Sequence, residues 1–282
     1  MTAAALLADA AATLAAAGVG SPAWDAERLL RHVLGWDRAT LLANPDRLVP
    51  EPEAERFRAL LGRRAAREPL QYILGTQAFW KHEFLVTPAV LIPRPETELL
   101  VETSLELLKD VERPLIVDVG TGSGCIALSL AFERPDAEVH ATDISEPALE
   151  VARENARRLG LEGRVAFHLG ALLDPVAHLS GTIDLIVSNP PYVDPAERDT
   201  LAPEVRDHEP GTALFTPDPL CVYRALVLGA VVALRPGGCL AVELGQGLAE
   251  PVAALCLSVG LQPRPPGTDL AGIPRALTAR RV

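Results

Sequence analysis

Cysteine is sparse in this chain and never paired in spacing: Cys125, Cys221, Cys239 and Cys256 stand far apart, form no C-x-x-C unit and lie among apolar neighbours. This argues against a disulfide framework, and the four thiols read as small buried hydrophobes of a reducing compartment. Long apolar runs are also missing. Ala225–Leu234 is too short to span a bilayer, and the apolar stretch Ala3–Ala17 lacks a basic leader and is broken by Asp9, unlike a signal peptide. A soluble cytoplasmic protein with no membrane contact is expected. Positive charge is in deficit, with 26 Lys and Arg against 37 Asp and Glu, a net charge of −11. Residues 1–75 carry nine of each sign, so the whole deficit belongs to residues 76–282. An acidic surface repels phosphate backbones, so protein or small-molecule substrates fit better than direct nucleic-acid binding. The six histidines show no metal-ligand spacing, and each reads as a surface or core residue with no metal expected. Neither a P-loop lysine nor a Ser-His-Asp order with a nucleophile elbow occurs, and no internal repeat or low-complexity segment is present.

What is present is enough apolar residue, 49% of 282, for a sizeable core and more than one domain. The first 70 residues read as short helices between breakers. Thr2 caps a helix running to Ala17. Ser21-Pro22 opens a second, whose apolar stripe is Trp24, Leu29, Leu30, Val33 and Leu34, with Gly35 at its end. A third starts near Pro52, buries Phe57, Leu60 and Leu61, leaves Arg58, Arg63, Arg64 and Arg67 solvated, and closes before Pro69. Residues 72–91 change to aromatic and β-branched texture and suggest a hairpin. After Pro114, strand and helix alternate, which implies a parallel sheet covered on both faces. Strands are expected at Leu115–Val119, Glu138–Asp143, Arg164–Leu169, Ile183–Ser188 and Cys239–Glu243, with a final pair from Pro263 to Val282. Helices are expected at Cys125–Glu133, Pro147–Leu159, Leu220–Leu234 and Leu248–Val259.

Three motifs carry chemistry. Strand Leu115–Val119 runs straight into Gly120-Thr121-Gly122-Ser123-Gly124, where residues without β-carbons let the backbone turn and approach a ligand at the carboxyl edge of the sheet. The spacing departs from G-x-G-x-x-G and favours S-adenosylmethionine over NAD or ATP. Asp143 ends the next strand, where a carboxylate can accept from both ribose hydroxyls, although a helix cap before Glu146-Pro147 uses the same residue type. Ser188-Asn189-Pro190-Pro191-Tyr192 follows the apolar strand Ile183–Val187. The Asn189 amide oxygen and the Pro190 carbonyl make two acceptors for one planar NH2, and the Tyr192 ring is expected to stack on that group and exclude water. Such a constellation orients a flat nitrogen for methyl transfer.

With these motifs on one chain, the sequence resembles the bacterial N5-glutamine methyltransferases that modify the Gly-Gly-Gln motif of peptide-chain release factors, across nearly its whole length. Supporting segments are Arg67–Gly75, Leu91-Ile92-Pro93-Arg94-Pro95-Glu96-Thr97-Glu98, the glycine loop, Asn189–Tyr192, and His208-Glu209-Pro210 with Ala213-Leu214. The resemblance implies a doubly wound, mostly parallel α/β sheet of seven strands. It implies a helical substrate-recognition domain at 1–71, a hairpin linker at 72–92 and the methyltransferase domain at 93–282. Gly120, Thr121, Gly122, Ser123, Gly124, Asp143 and Asn189 would hold S-adenosylmethionine, released as S-adenosylhomocysteine. Asn189, Pro190, Pro191 and Tyr192 would hold the glutamine amide, with Asn189, Pro190 and Tyr192 catalytic, and Arg94 and Glu98 near the entrance or paired across a helix turn. The expected partner is a class I release factor, met by a monomer.

Three positions depart from that family. Lys81 replaces a usual glycine in the hairpin, Gly170-Ala171-Leu172 lacks the acidic partner of the adenine amino group, and Thr216-Pro217-Asp218-Pro219 replaces a glycine-rich turn. All three are expected to surround the cofactor pocket and weaken it. Adenine-N6 methylation of nucleic acid shares Asn189–Tyr192 but needs a basic groove and a target-recognition insert, and neither is visible. A glutamine of a ribosomal protein, or a degenerate module without catalysis, is the remaining alternative.

Overall fold

A computed structural model describes residues 1–282 as two compact units, one of Met1–Gly75 with Ala202–His208, the other of Thr76–Leu201 with Glu209–Val282. The first unit is helical: α1 Ala3–Ala16, α2 Pro22–Leu34, α3 Arg38–Ala43, α4 Glu51–Ala65 and α5 Leu70–Leu74. Thr2 caps α1 by accepting the Ala5 N–H at 3.2 Å, whereas Ser21 stands before α2 with no side-chain cap bond and Pro22 supplies the preset φ. Leu6, Leu14, Leu29, Leu30, Phe57 and Ile73 meet in one apolar cluster. Trp24 is not part of that stripe. It is 45% exposed, with Arg28 and Arg38 over its ring at 5.8 and 5.7 Å. Arg64 corrects the solvated reading of the α4 arginines. It is buried, its Nε donating to Asp25 Oδ2 at 2.7 Å and its Nη2 to Glu204 Oε1 at 2.8 Å. Arg67 grips the same Glu204 through Nε and Nη2, at 2.8 and 2.6 Å. Burial opposes ionisation of Glu204, but the two guanidinium groups outweigh it and bring the carboxyl to about 2.

The second unit opens with an antiparallel hairpin, β1 Thr76–Phe79 and β2 His82–Leu85; Tyr72, read with this hairpin from sequence, belongs to α5. Trp80 turns the chain at φ +55 and is held from two sides, its backbone N–H on Glu98 and its indole N–H on Glu133, both at 2.8 Å. Then follow α6 Glu98–Leu108, β3 Leu115–Val119, α7 Cys125–Glu133, β4 Glu138–Asp143, α8 Glu146–Arg158, β5 Val165–Leu169 and β6 Ile183–Ser188. After two short helices, α9 Pro203–His208 of the first unit and α10 Gly211–Leu214, come α11 Pro219–Ala233, β7 Leu234–Glu243, α12 Ala249–Ser258, β8 Leu261–Pro263, β9 Gly267–Thr268 and β10 Pro274–Arg281. The sheet order is β5-β4-β3-β6-β7-β10-β8, with β9 on the side of β10. The first five strands on that path are parallel and the terminal ones antiparallel. This is the expected α/β sheet of seven strands, plus a two-residue eighth.

Because β3 and β6 are buried on both faces, they are apolar along nearly their whole length, Asp118 and Asp184 being the charged exceptions. From β3 the chain winds outward through β4 and β5, then crosses back to β6 on the other side. The switch of winding direction therefore falls between β3 and β6, where open α/β sheets leave a crevice. β7 begins earlier than expected, at Leu234, because Gly237 and Gly238 lie within the strand instead of ending it. Cys221 is exposed on the first turn of α11, in contrast to its three buried counterparts. The histidines are not all isolated: the rings of His140 on β4 and His168 on β5 stack with nitrogens 2.9 Å apart, and His178 lies edge-on. No helix is long and apolar enough to cross a membrane.

Candidate active site

A cavity of 380 Å³ opens at the carboxyl ends of β3, β4 and β6, across the point where the winding reverses. Its floor is the loop Gly120-Thr121-Gly122-Ser123, and its walls include Asp143, Ala171, Asn189, Pro190, Pro191 and Arg94. The loop is braced from below. Thr121 donates its hydroxyl hydrogen to Asp118 Oδ2 at 2.7 Å, and the Ala127 N–H reaches the same oxygen at 3.2 Å. Asp118 is fully buried, its other oxygen has no partner, and burial pushes its carboxyl up to about 7. From the side, Asn155 donates to the Ser123 carbonyl at 2.9 Å while exchanging two bonds with Leu85 of the hairpin.

The sequence-derived residues divide into two groups. Gly120, Thr121, Gly122, Ser123, Asp143, Asn189, Pro190, Pro191 and Arg94 line one cavity. Gly124, Glu98 and Tyr192 do not. Gly124, at φ +80, starts α7 where an added β-carbon would lie 3.0 Å from Leu128 and 3.2 Å from Ala152, so it serves close helix packing. Glu98 is turned to the hairpin, where Trp80 occupies it, and Arg94 pairs with Glu209 at 2.5 Å instead. Tyr192 was expected to stack in the cavity. Its ring instead fills the space over Gly245, where a β-carbon would come within 2.8 Å of it, and its hydroxyl donates to Glu243 Oε1 at 3.5 Å. Burial and the Glu243 charge push the phenol up to about 12, which keeps it neutral and a donor.

Asp143 has both oxygens engaged by backbone, accepting from Gly122 N–H and Ser145 N–H at 2.9 Å each. It fastens the glycine loop to the start of α8, and it lines the cavity beside that loop. Of the three departures from family pattern, only Gly170-Ala171-Leu172 touches the cavity. Lys81 pairs with Glu133 at 2.6 Å, and Asp218 caps α11 by accepting the Leu220 N–H at 2.9 Å. Sequence reasoning gave no role to Asp118 and Asn155 beneath the loop, nor to Thr97 and Glu243, which are both buried and bonded to each other at 2.6 Å. Thr97 belongs to the segment Leu91–Glu98 that carries the family resemblance, and the only sequence signal at Glu243 is an acid ending an apolar strand.

The residues fit an adenosyl cofactor on structural grounds. An added β-carbon at Gly120 or Gly122 would meet nothing within 4 Å, so the loop backbone faces open space, with one carboxylate beside it and an apolar wall from Val119, Ile126 and Leu172.

A family model described as "PrmC N-terminal domain" matches residues 5–75, and one described as "Methyltransferase small domain" matches residues 95–205. A release factor glutamine methyltransferase of Deinococcus radiodurans is 48% identical over 282 residues, covering 98% of this chain and 98% of the relative. Its counterpart in Bradyrhizobium diazoefficiens is 46% identical, covering 96% and 92%. The solved structure of a methyltransferase from Pyrococcus furiosus shares the fold at a TM-score of 0.51, with 19% identity over 80% of this chain and 98% of that one. S-adenosylmethionine is accordingly the cofactor of this chain. With near full-length identity at this level, the chain belongs to the release factor glutamine methyltransferase family.

Proposed function

We propose that this protein methylates the side-chain amide nitrogen, N5, of the glutamine in the Gly-Gly-Gln motif of a class I release factor. One observation carries the reading: the Asn189-Pro190 acceptor pair after β6 and the glycine loop after β3 line a single cavity at the switch point of the sheet. Gly120–Ser123 and Asp143 hold the cofactor. When bound, S-adenosylmethionine supplies a methyl carbon activated by a sulfonium, and the C–S electrons return to sulfur to leave S-adenosylhomocysteine. The chain contributes orientation. Asn189 Oδ1 and the Pro190 carbonyl accept both N–H bonds of the glutamine NH2, fixing its plane and raising electron density on nitrogen. Once the N–C bond has formed, the nitrogen sheds one proton along one of those two bonds to solvent.

The helical unit grips the release factor, its domain extending beyond the expected 1–71 through α5 to Gly75, with the hairpin in the linker to the methyltransferase domain 93–282. The enzyme acts as a cytoplasmic monomer without binding nucleic acid directly. Labelled S-adenosylmethionine, a class I release factor and peptide mass mapping test the proposal, with Asn189→Ala as control. Label on the Gly-Gly-Gln glutamine, lost in the variant, is the expected result. Label on an adenine or on no substrate overturns it.

A further inference from the structure

Asparagine has the same outline whichever way its amide is turned, and only hydrogen bonding decides which end faces a ligand. At Asn189 this choice matters. The substrate group is itself an NH2, so an inverted Asn189 would set donor against donor.

Behind Asn189 runs a chain of polar groups with a single consistent direction. Asn189 Nδ2 donates to Thr97 Oγ1 at 3.3 Å, Thr97 donates its hydroxyl hydrogen to Glu243 Oε2 at 2.6 Å, and the Tyr192 hydroxyl donates to Glu243 Oε1 at 3.5 Å. Thr97 and Glu243 are 2% and 3% exposed, so water does not compete for these bonds. Glu243 ends β7, beside β6, and its backbone carbonyl is held by the Tyr223 hydroxyl at 2.8 Å. A carboxylate only accepts. Thr97 owns one hydroxyl hydrogen and must give it to Glu243, so towards Asn189 it offers only a lone pair. Asn189 must then present its NH2 to Thr97, which leaves Oδ1 for the cavity.

We infer that Thr97 and Glu243 are positioning residues which set the polarity of the Asn189 amide, so that the cavity presents an acceptor to an NH2 group. The inference rests on the proposed glutamine-methylating function for its substrate, and on the three bonds alone for its geometry. It also gives Tyr192 and Thr97 a common task at opposite oxygens of one carboxylate. Towards Glu243 face the Tyr192 and Tyr223 hydroxyls, the Arg275 guanidinium from β10 and the Glu96 carboxylate beside Thr97. Burial pushes the Glu243 carboxyl up to about 7. Once protonated it becomes a donor, Thr97 can turn its hydrogen to Asn189, and the amide loses its imposed direction.

The chain contains three asparagines, Asn44, Asn155 and Asn189, so selective ¹⁵N-asparagine labelling yields three side-chain NH2 pairs, with Asn189→Asp assigning the relevant one. The Asn189 signals are expected to shift with a midpoint near pH 7 in the parent and to stay flat in Glu243→Gln. A flat parent signal overturns the relay, whatever substrate the enzyme takes. In methylation assays Thr97→Val and Glu243→Gln are expected to lower kcat about tenfold or more, with S-adenosylmethionine affinity within twofold of the parent. Thr97→Ser is expected to recover most of that loss, and the acid limb of the kcat profile to vanish in Glu243→Gln. If the parent labels the release factor and both variants keep its kcat, the relay is refuted while the function stands. If the parent labels nothing, the function is refuted and the amide titration alone decides the relay.

Discussion

Arg94 and Glu209, far apart in sequence, meet at the cavity rim: the guanidinium lies 2.5 Å from Oε1, and Oε2 accepts the Ile92 N–H at 3.3 Å. Glu209 is thus a clasp between the segment leading to α6 and the segment leading to α10, with its side chain 1% exposed. A charge so placed is tolerated because both oxygens are bonded, and removing it leaves a cation and an amide without acceptors.

Glu209→Ala is therefore expected to cost about 2 kcal/mol, since Arg94 keeps partial access to water, which corresponds to roughly 6 °C in Tm for a unit of this size. Glu209→Gln, which still accepts from Ile92, should lose less than half of that. Thermal unfolding of the two variants checks the order. Equal losses would show that the Ile92 bond contributes nothing.

Much of this architecture was legible because local rules and burial agree. β3, β4 and β6 end where the sequence reading ended them, since β3 and β6 are largely apolar runs stopped by a glycine loop or a polar turn and β4 stops at Asp143 before the Ser145-Glu146-Pro147 helix start, and α7 runs from the residue after the glycine loop to Glu133 as read. α3 and α5 were missed because neither is long enough to display a helical period. Arg64 looked like one of several solvated arginines, and nothing adjacent in sequence announces that Asp25 and Glu204 will enclose it. Tyr192 failed for a similar reason. Its neighbours Pro190 and Pro191 face the cavity, but the ring takes its direction from a missing β-carbon at Gly245 and an acceptor at Glu243. Local motifs thus identified the cavity wall, while the shell behind it is built from pairs distant in sequence.

Ala171 is where this chain lacks the carboxylate that the family resemblance leads one to expect opposite the adenine amino group, and it is the departure that reaches the cavity wall. Ala171→Asp should bind S-adenosylmethionine about two- to tenfold more tightly, the worth of one hydrogen bond. Isothermal calorimetry measures it directly, and affinity equal to that of the parent would remove the adenine contact from the reading.

Asp118 links the loop to pH. Its folded carboxyl is raised to about 7 by burial, whereas in the unfolded chain it titrates at about 4. Between those values the folded state holds the extra proton, so its contribution to stability is fully present below about pH 4, declines as pH rises towards 7, and is constant beyond. Asp118→Asn has no such proton to lose. Urea unfolding at a series of pH values from 4.5 to 8 should show a shallower fall for the variant than for the parent, and parallel curves would exclude Asp118 as the source. Glu243, raised by burial in the same way, adds a fall of the same sign that the variant retains.

The glycine loop separates two demands that a motif cannot distinguish. Gly122 sits at φ +54 with open space where a β-carbon would point, in the cavity floor, whereas Gly124 has Leu128 and Ala152 against it and lies outside the cavity. Alanine at 122 strains the backbone by about 1 kcal/mol and, with the cofactor held by this loop as proposed, would intrude on it, so its larger effect should be on S-adenosylmethionine affinity, a loss of roughly tenfold or more. At position 124 the same strain adds to a contact that must spread α7 from α8, for a stability loss of about 2–3 kcal/mol with a smaller effect on affinity. Calorimetry and unfolding on the pair decide it. Should Gly124→Ala lose affinity and keep its Tm while Gly122→Ala does the opposite, the division of the loop into a ligand-facing and a packing-facing glycine is wrong.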